Sequence, residues 1–302
     1  MARAIISDIH ANIEALEAVL LDIDEQNKIR SGDNKIDTID CLGDIVDYGA
    51  NPKEAIELTR KSCRVIIAGN HDLDAIGKFE MFTGFSYEWI EMRHETEWTR
   101  STLFNEEPHG LISRAIQIFR VLADIPEPSL KEALNDNEYF KFFDSLPLSY
   151  REEGILYVHG VPVRGLSTLR YFGSEFTLAS KDTVLGPSLE KILHNISGLC
   201  FVGHSHGPSV GFYEADLPRI AAVKGNYIVE RKMLGSKAII NVGSVGQPRD
   251  KDPRACYVIY DREKIEYRRV LYDAAKAAKK IMACRINYQT KLANSCRLME
   301  GT

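Results

Sequence analysis

The stretch Ala4-Ile5-Ile6-Ser7-Asp8-Ile9-His10-Ala11-Asn12 decides how the rest of the chain is read. An apolar run that stops abruptly at a carboxylate and an imidazole has the pattern of a buried strand ending in metal-binding side chains. In extended backbone alternate side chains share a face, so Asp8 and His10 are expected to point the same way. Asp-x-His alone is a common triplet. Its weight comes from what recurs farther along.

Apolar positions Ile13, Leu16, Val19, Leu20 and Ile23 follow at helical spacing, with Asn12 placed to cap the helix. The same order of strand, sharp turn and polar residues returns four times. Residues 36–42 lead into Gly43-Asp44-Ile45-Val46-Asp47-Tyr48-Gly49, with Pro52 opening the next helix. Residues 65–68 lead into Gly69-Asn70-His71-Asp72, 155–158 into His159-Gly160, and 199–202 into Gly203-His204-Ser205-His206. Strands alternating with helices predict a layered α/β protein. Ligand-type residues at C-terminal strand ends stand where open α/β sheets place their sites.

The seven residues collected this way, Asp8, His10, Asp44, Asn70, His159, His204 and His206, offer nitrogen and oxygen donors without thiolates. That set suits Mn, Fe, Zn, Co or Ni. Seven donors exceed what one tetrahedral ion takes, and two divalent ions sharing a bridging carboxylate, with Asp44 as the candidate, are expected. Two ions ~3.5–4 Å apart clamp a phosphoryl group and stabilise its attacking and leaving oxygens.

The composition is that of a soluble globular protein: 302 residues, 44% hydrophobic and 27% charged. A net charge of -5 provides no global field for gripping nucleic acid. No apolar run is long enough to span a bilayer, and the N-terminus runs directly into a candidate core strand, so a cytoplasmic protein without a signal peptide is expected. The six cysteines (Cys41, Cys63, Cys200, Cys256, Cys284, Cys296) form no Cys-x-x-Cys pair, and buried reduced thiols are expected. Without linkers or repeats, 1–302 reads as a single domain.

An aromatic-rich insert, 79–148, reads as helical within that domain. Leu111, Ala115, Ile118, Leu122 and Ile125 form one apolar stripe in it. It would either pack on the sheet or cap the site, and the second possibility would favour a small phosphoester or nucleotide substrate. Past His206 the chain is β-rich at 209–213, 227–232, 238–242, 255–260 and 265–271, and a second, mostly antiparallel sheet is expected there. Residues 274–282 read as a basic amphipathic helix with a solvated face.

Taken in order, the five blocks resemble those of calcineurin-like metallophosphoesterases. Asn241-Val242-Gly243-Ser244-Val245-Gly246-Gln247-Pro248-Arg249-Asp250, then Asp252-Pro253-Arg254-Ala255, is similar to a block of a compact prokaryotic branch of that superfamily. Val242 departs from the proline usual in the branch. The resemblance implies a four-layer α/β/β/α sandwich, two packed mixed β-sheets flanked by helices, carrying the helical insert. It further implies that Asp8, His10, Asp44 and His206 hold one metal and Asp44, Asn70, His159 and His204 the other. Mn is the first choice for reconstitution.

In the same resemblance a hydroxide between the metals attacks phosphorus, and His71 gives a proton or hydrogen bond to the leaving oxygen. Asp72 would orient His71. Asn12, Arg249 and Arg254 are candidates for substrate contact, with a solvated turn the equal alternative for the two arginines. The expected activity is hydrolysis of a small phosphomonoester or phosphodiester, without membrane or nucleic-acid partners. The alternatives are a catalytically silent metal-binding scaffold and a nuclease of the same superfamily.

Overall fold

The computed structural model describes residues 1–78, 89–104, 136–163, 166–167, 187–286 and 288–302. Two six-stranded mixed sheets pack face to face. In spatial order the first holds β11 (Tyr227–Glu230), β14 (Lys264–Val270), β13 (Ala255–Tyr260), β1 (Ala2–Ile6), β2 (Ile36–Cys41) and β3 (Val65–Ile66). The second holds β10 (Leu217–Ala222), β9 (Ser209–Glu214), β12 (Ala238–Asn241), β8 (Leu199–Val202), β5 (Ile155–Val158) and β4 (Ser149–Glu152). A small hairpin, β6 (Pro162–Val163) with β7 (Leu166–Ser167), follows β5.

Side-chain parity along the strands builds the layers. In β1, Ala4 and Ile6 join the core under helices α1 (Ile13–Ile29) and α2 (Pro52–Ser62), whereas Ile5 faces the other sheet. In β8, Leu199 and Phe201 face inward, and Cys200 and Val202 lie under helix α6 (Pro187–Asn195). Strands covered on both faces must be apolar throughout, which is why β5 and β8 read as unbroken Ile-Leu-Tyr-Val and Leu-Cys-Phe-Val. Each large side chain buried between the sheets contributes about 1.5–3 kcal/mol.

The C-terminal strands do not form a sheet of their own. β13 pairs antiparallel with β1, Arg3 opposite Tyr260, while β12 pairs parallel with β8 and antiparallel with β9. Alternation along a strand reports that one face is covered, and leaves open which neighbour lies beside it. β10 went unread because Pro218 and three charged or small neighbours mask it. It is an edge strand, where a missing N–H is tolerated.

Helix α7 (Ala274–Ala283) is not simply a solvated face. Ala277 and Ile281 are buried, and Lys276 and Lys280 reach the buried carboxylate of Glu14 at 3.3 and 2.6 Å. It pairs with the last helix, α8 (Tyr288–Glu300).

Between α3 (Asn70–Ala75) and β4 lie α4 (Trp89–Phe104) and α5 (Glu138–Ser145), whose Leu103, Phe104, Tyr139, Phe140 and Phe143 pack into the core under α1 and α2. The expected apolar stripe from Leu111 to Ile125 lies outside the described residues, as do Phe79, Phe82, Phe85, Tyr87 and Phe119. All six cysteines are free thiols. No described helix is long and apolar enough to cross a membrane.

At the N-terminal ends of β1 and β5 a charge network ties the two sheets together. Glu152 accepts from Arg3 at 2.7 Å and from Arg64 at 2.8 and 2.9 Å, and Arg64 also forks onto Asp40 at 3.1 and 3.0 Å. The bonds from Arg64, with those from Arg3, hold the Glu152 carboxyl down at about 2. A carboxylate depressed in the folded state stabilises it above the unfolded value near 4.5, and that contribution disappears as pH falls through the folded value. Glu152→Gln should therefore cost about 1–2 kcal/mol at pH 7. In urea melts the gap to the parent protein should narrow steadily from pH 4.5 toward pH 2. A gap as wide at pH 2.5 as at pH 7 would count against this role.

Candidate metal centre

The loops leaving β1, β2 and β8 curl immediately. Asp8 (φ 54°), His10 (φ 49°), Asp44 (φ 53°), His204 (φ 66°) and His206 (φ 59°) all lie in the left-handed region, as do Ala11, Asp47 and Tyr48. The convergence of Asp8 and His10 thus comes from turns beyond the strand, since β1 ends at Ile6, and not from extended alternation. Each such non-glycine residue costs on the order of 1 kcal/mol, and the cost is tolerated where surrounding bonds fix it. Here they do: Asp8 N–H donates to Gly43 O, His10 N–H to Asp44 O, and Gly246 N–H to Asp8 O, at 2.9–3.0 Å.

All seven predicted ligands meet. His206 Nε2 is 3.2 Å from Asp8 Oδ1 and 3.1 Å from His10 Nε2. His159 Nε2 is 3.0 Å from Asp44 Oδ2 and 3.1 Å from Asn70 Oδ1. Ligand atoms of Asp44, His159 and His204 lie within 4.8 Å of one another, as do those of Asp8, His10 and His206. Asp44 stands between the two groups. Its Oδ2 also lies 3.8 Å from His10 Nε2, and its Oδ1 accepts the His71 N–H at 2.9 Å. The sharing therefore falls on a single oxygen.

The tautomers show that the pocket suits cations. His10 Nδ1 donates to Val46 O at 3.0 Å, His159 Nδ1 to Leu42 O at 2.8 Å and His206 Nδ1 to Gln247 O at 2.5 Å. With those nitrogens protonated, each neutral ring turns an Nε2 lone pair inward. Two lone pairs then face each other across 3.1 Å between His10 and His206, an arrangement a shared cation satisfies. Nitrogen and carboxylate donors fit a borderline divalent transition metal.

The electrostatics favour neutral rings at His10 and His204: burial pushes both down, the latter to about 3, and repulsion from His206 and His159, respectively, adds to it. His159 differs: burial lowers it, but Asp44, with Asp8 and the Leu42 carbonyl, outweighs burial and lifts it to about 9. Without a cation its Nε2 therefore holds a proton against Asp44 that a bound metal would replace.

Helix α3 begins inside the site. Asn70 and His71 are its first residues, so helical rotation sends them in different directions. Gly69 is required sterically: a Cβ there would fall on the Asp44 carboxylate.

The assignment of Asp72 as the acid that orients His71 is corrected. Asp72 accepts three backbone N–H groups, from Asp44 and Ile45 at 2.8 Å and from Gly69 at 2.9 Å. It thereby ties α3 to the turn carrying Asp44. Burial, together with the Asp44 charge, lifts it to about 7 against those donors. The partner of His71 is Asp47, whose Oδ2 lies 2.8 Å from Nδ1. Burial opposes charging of His71, but Tyr48, Asp44 and Asp47 together raise it well above the ordinary value.

Asp47 is held in turn by the hydroxyls of Thr96 and Thr99 in α4, at 2.9 and 2.5 Å. The signal for Asp47 was present: it is the second acid of the turn that supplies Asp44, three residues on. Nothing in the sequence marked Thr96 or Thr99.

Of the three substrate candidates, two are committed elsewhere. Asn12 caps α1, accepting from Ala15 N–H at 3.1 Å, and donates to Gly246 O at 2.8 Å. Arg254 forks onto Asp252 at 2.9 and 2.6 Å, the turn reading. Arg249 lies close enough to help lower His206.

A family model for calcineurin-like phosphoesterases matches residues 1–218. The chain belongs to this family. Calcineurin-like phosphoesterases hydrolyse phosphoesters with divalent metals, and the donor set above is what such chemistry needs. An uncharacterized protein of Methanocaldococcus jannaschii is 34% identical over 289 residues, covering 94% of this chain and 93% of its own. A metallophosphoesterase from Sphaerobacter thermophilus superposes with a TM-score of 0.68 at 27% identity, over 100% of this chain and 99% of that one. A protein of Pyrococcus horikoshii OT3, at 17% identity, shares the fold with a TM-score of 0.59 over 100% and 98% of the two chains. In this calcineurin-like phosphoesterase the two sheets touch at Gly203, where a Cβ would fall on Ser7 Oγ and on the Asp8 carboxylate. Gly203→Ala should displace Asp8 and reduce Mn content on reconstitution by about half, read by elemental analysis. Undiminished content would show that Asp8 is not held by this contact.

Proposed function

We propose that this protein is a dinuclear-metal hydrolase of small phosphoesters. The observation that carries the reading is the single Asp44 oxygen lying between two imidazole-rich groups of donors, Asp8, His10 and His206 on one side and His159, His204 and Asn70 on the other. Asp8, His10, Asp44 and His206 would hold one ion, and Asp44, Asn70, His159 and His204 the other. When bound, the ions supply Lewis acidity at the phosphoryl oxygens and an acidified water as nucleophile.

The protein's own groups do the rest. Burial of every ligand keeps bulk water from screening the site. Val46, Leu42 and Gln247 carbonyls fix the rings of His10, His159 and His206, so that Nε2 faces the ions. Asp47 holds the Nδ1 proton of His71, which leaves Nε2 to exchange a proton with the leaving oxygen. The neighbourhood of His71 favours the charged ring, the form able to donate.

Reconstitution with Mn should give about two equivalents and hydrolysis of p-nitrophenyl phosphate or bis(p-nitrophenyl) phosphate; the ratio between the two distinguishes monoesterase from diesterase. Asp44→Asn should lower both metal content and rate. A saturating stoichiometry of one, or full content in that variant, would defeat the shared-oxygen arrangement. His71→Ala should keep both ions and lose about 10²–10⁴ in kcat. Loss of an ion in that variant would instead make His71 a ligand, a placement its distance from His10 and Asp44 permits.

A further inference from the structure

Tyr48 stands between the metal centre and the C-terminal helices. Its ring centroid is 4.6 Å from that of His10 and 4.8 Å from that of His71. Two guanidiniums gather at this ring from distant parts of the chain. Arg249, on the loop after β12, has its Cζ 5.6 Å from the centroid, and Arg297, on α8, lies at 6.0 Å. Asn294 secures α8 there by donating to Tyr48 O at 3.4 Å.

The charges around this ring are unevenly matched. Arg254 is paired with Asp252, Arg269 with Asp250, and Lys276 and Lys280 with Glu14. Arg249 and Arg297 have no carboxylate partner among the described residues. Arg249 donates to the neutral amide oxygen of Gln247, at 3.1 and 2.5 Å, and Arg297 to that of Asn294 at 3.3 Å. Both are half-buried, where screening by water is reduced. Two like charges gathered around one aromatic ring without a counter-charge repel each other, and a bound anion relieves that repulsion. The planar guanidinium fork is the side chain best shaped to receive a phosphate.

We infer that Arg249 and Arg297 form a second anion subsite, one ring away from the metals. The favoured substrate then carries a second phosphoryl group beside the one that reacts, a diphosphate-class compound in preference to a simple monoester. Tyr48 is the platform that positions both arginines. The inference rests on the phosphoesterase reading for which phosphoryl group reacts. Both arginines lie beyond residue 218, where the family match ends.

Equilibrium binding tests it without turnover. On Mn-loaded protein, calorimetry with methylenediphosphonate and methylphosphonate should show the diphosphonate at least about tenfold tighter. Arg249→Ala and Arg297→Ala should each erode that preference, and the double variant should remove most of it, with circular dichroism and Mn content showing an intact fold. Should the alanine variants melt early, Arg249→Gln and Arg297→Gln carry the same expectation with less lost packing. The absence of a preference in the parent protein overturns the subsite. So does a preference that survives in the double variant, which would then be chelation by the ions alone. A protein that shows the preference, loses it in the variants and yet hydrolyses no ester would uphold the subsite and defeat the phosphoesterase reading instead.

Discussion

Four carboxylates, Asp8, Asp44, Asp47 and Asp72, are buried close together, and among the described residues none of them accepts a hydrogen bond from an arginine or lysine. Burying an anion is expensive unless donors surround it. Here the donors are backbone and hydroxyl groups: His204 N–H on Asp8, His71 N–H on Asp44, three N–H groups on Asp72, and Thr96 and Thr99 on Asp47. Aiming so many N–H groups inward requires the chain to curl at each strand end. That need accounts for the left-handed residues and for the glycines at 69 and 203, which let neighbouring loops approach. The candidate metal ligands are thus the visible part of a larger arrangement that keeps negative charge in a dry place.

The same requirement orders the roles of the acids. Asp72 consolidates the frame, because three N–H groups consume its acceptor capacity. Asp47 turns Oδ2 to both His71 and Thr96 and Oδ1 to Thr99. Asp44 divides its two oxygens between the frame, where Oδ1 accepts the His71 N–H, and the imidazoles of His159 and His10, which face Oδ2. Adjacent acids of one type thereby take different jobs, set by which atoms face them.

Much of this was legible in the residues. The seven donors were recognisable because each closes an apolar run, a juxtaposition that burial alone would not select. The layered architecture followed from the repeated strand, turn and helix, and from the family resemblance. The sheet membership of β12 and β13 was not legible, since pairing is decided across the whole chain and alternation is silent about partners. His71 was assigned the adjacent acid, Asp72, when three-dimensional proximity selected Asp47. Nothing in the sequence tied Arg297 to Tyr48, because a helical arginine looks like any other surface charge until the ring is placed beneath it.

The position of β1 has a consequence for how the protein is made. β1 precedes every other described strand, yet it lies in the interior of its sheet, flanked by β2 on one side and by β13 on the other. Asp8 and His10 are therefore synthesised early and finished late. Until residues 255–260 arrive, β1 keeps one hydrogen-bonding edge open and the first ligands lack the closing loop from Val245 to Gln247. Such distant pairing makes for slow closure. The Asp44, Asn70, His159 and His204 group needs nothing beyond residue 204, whereas the Asp8, His10 and His206 group is completed only when the loop from Val245 to Gln247 closes on it.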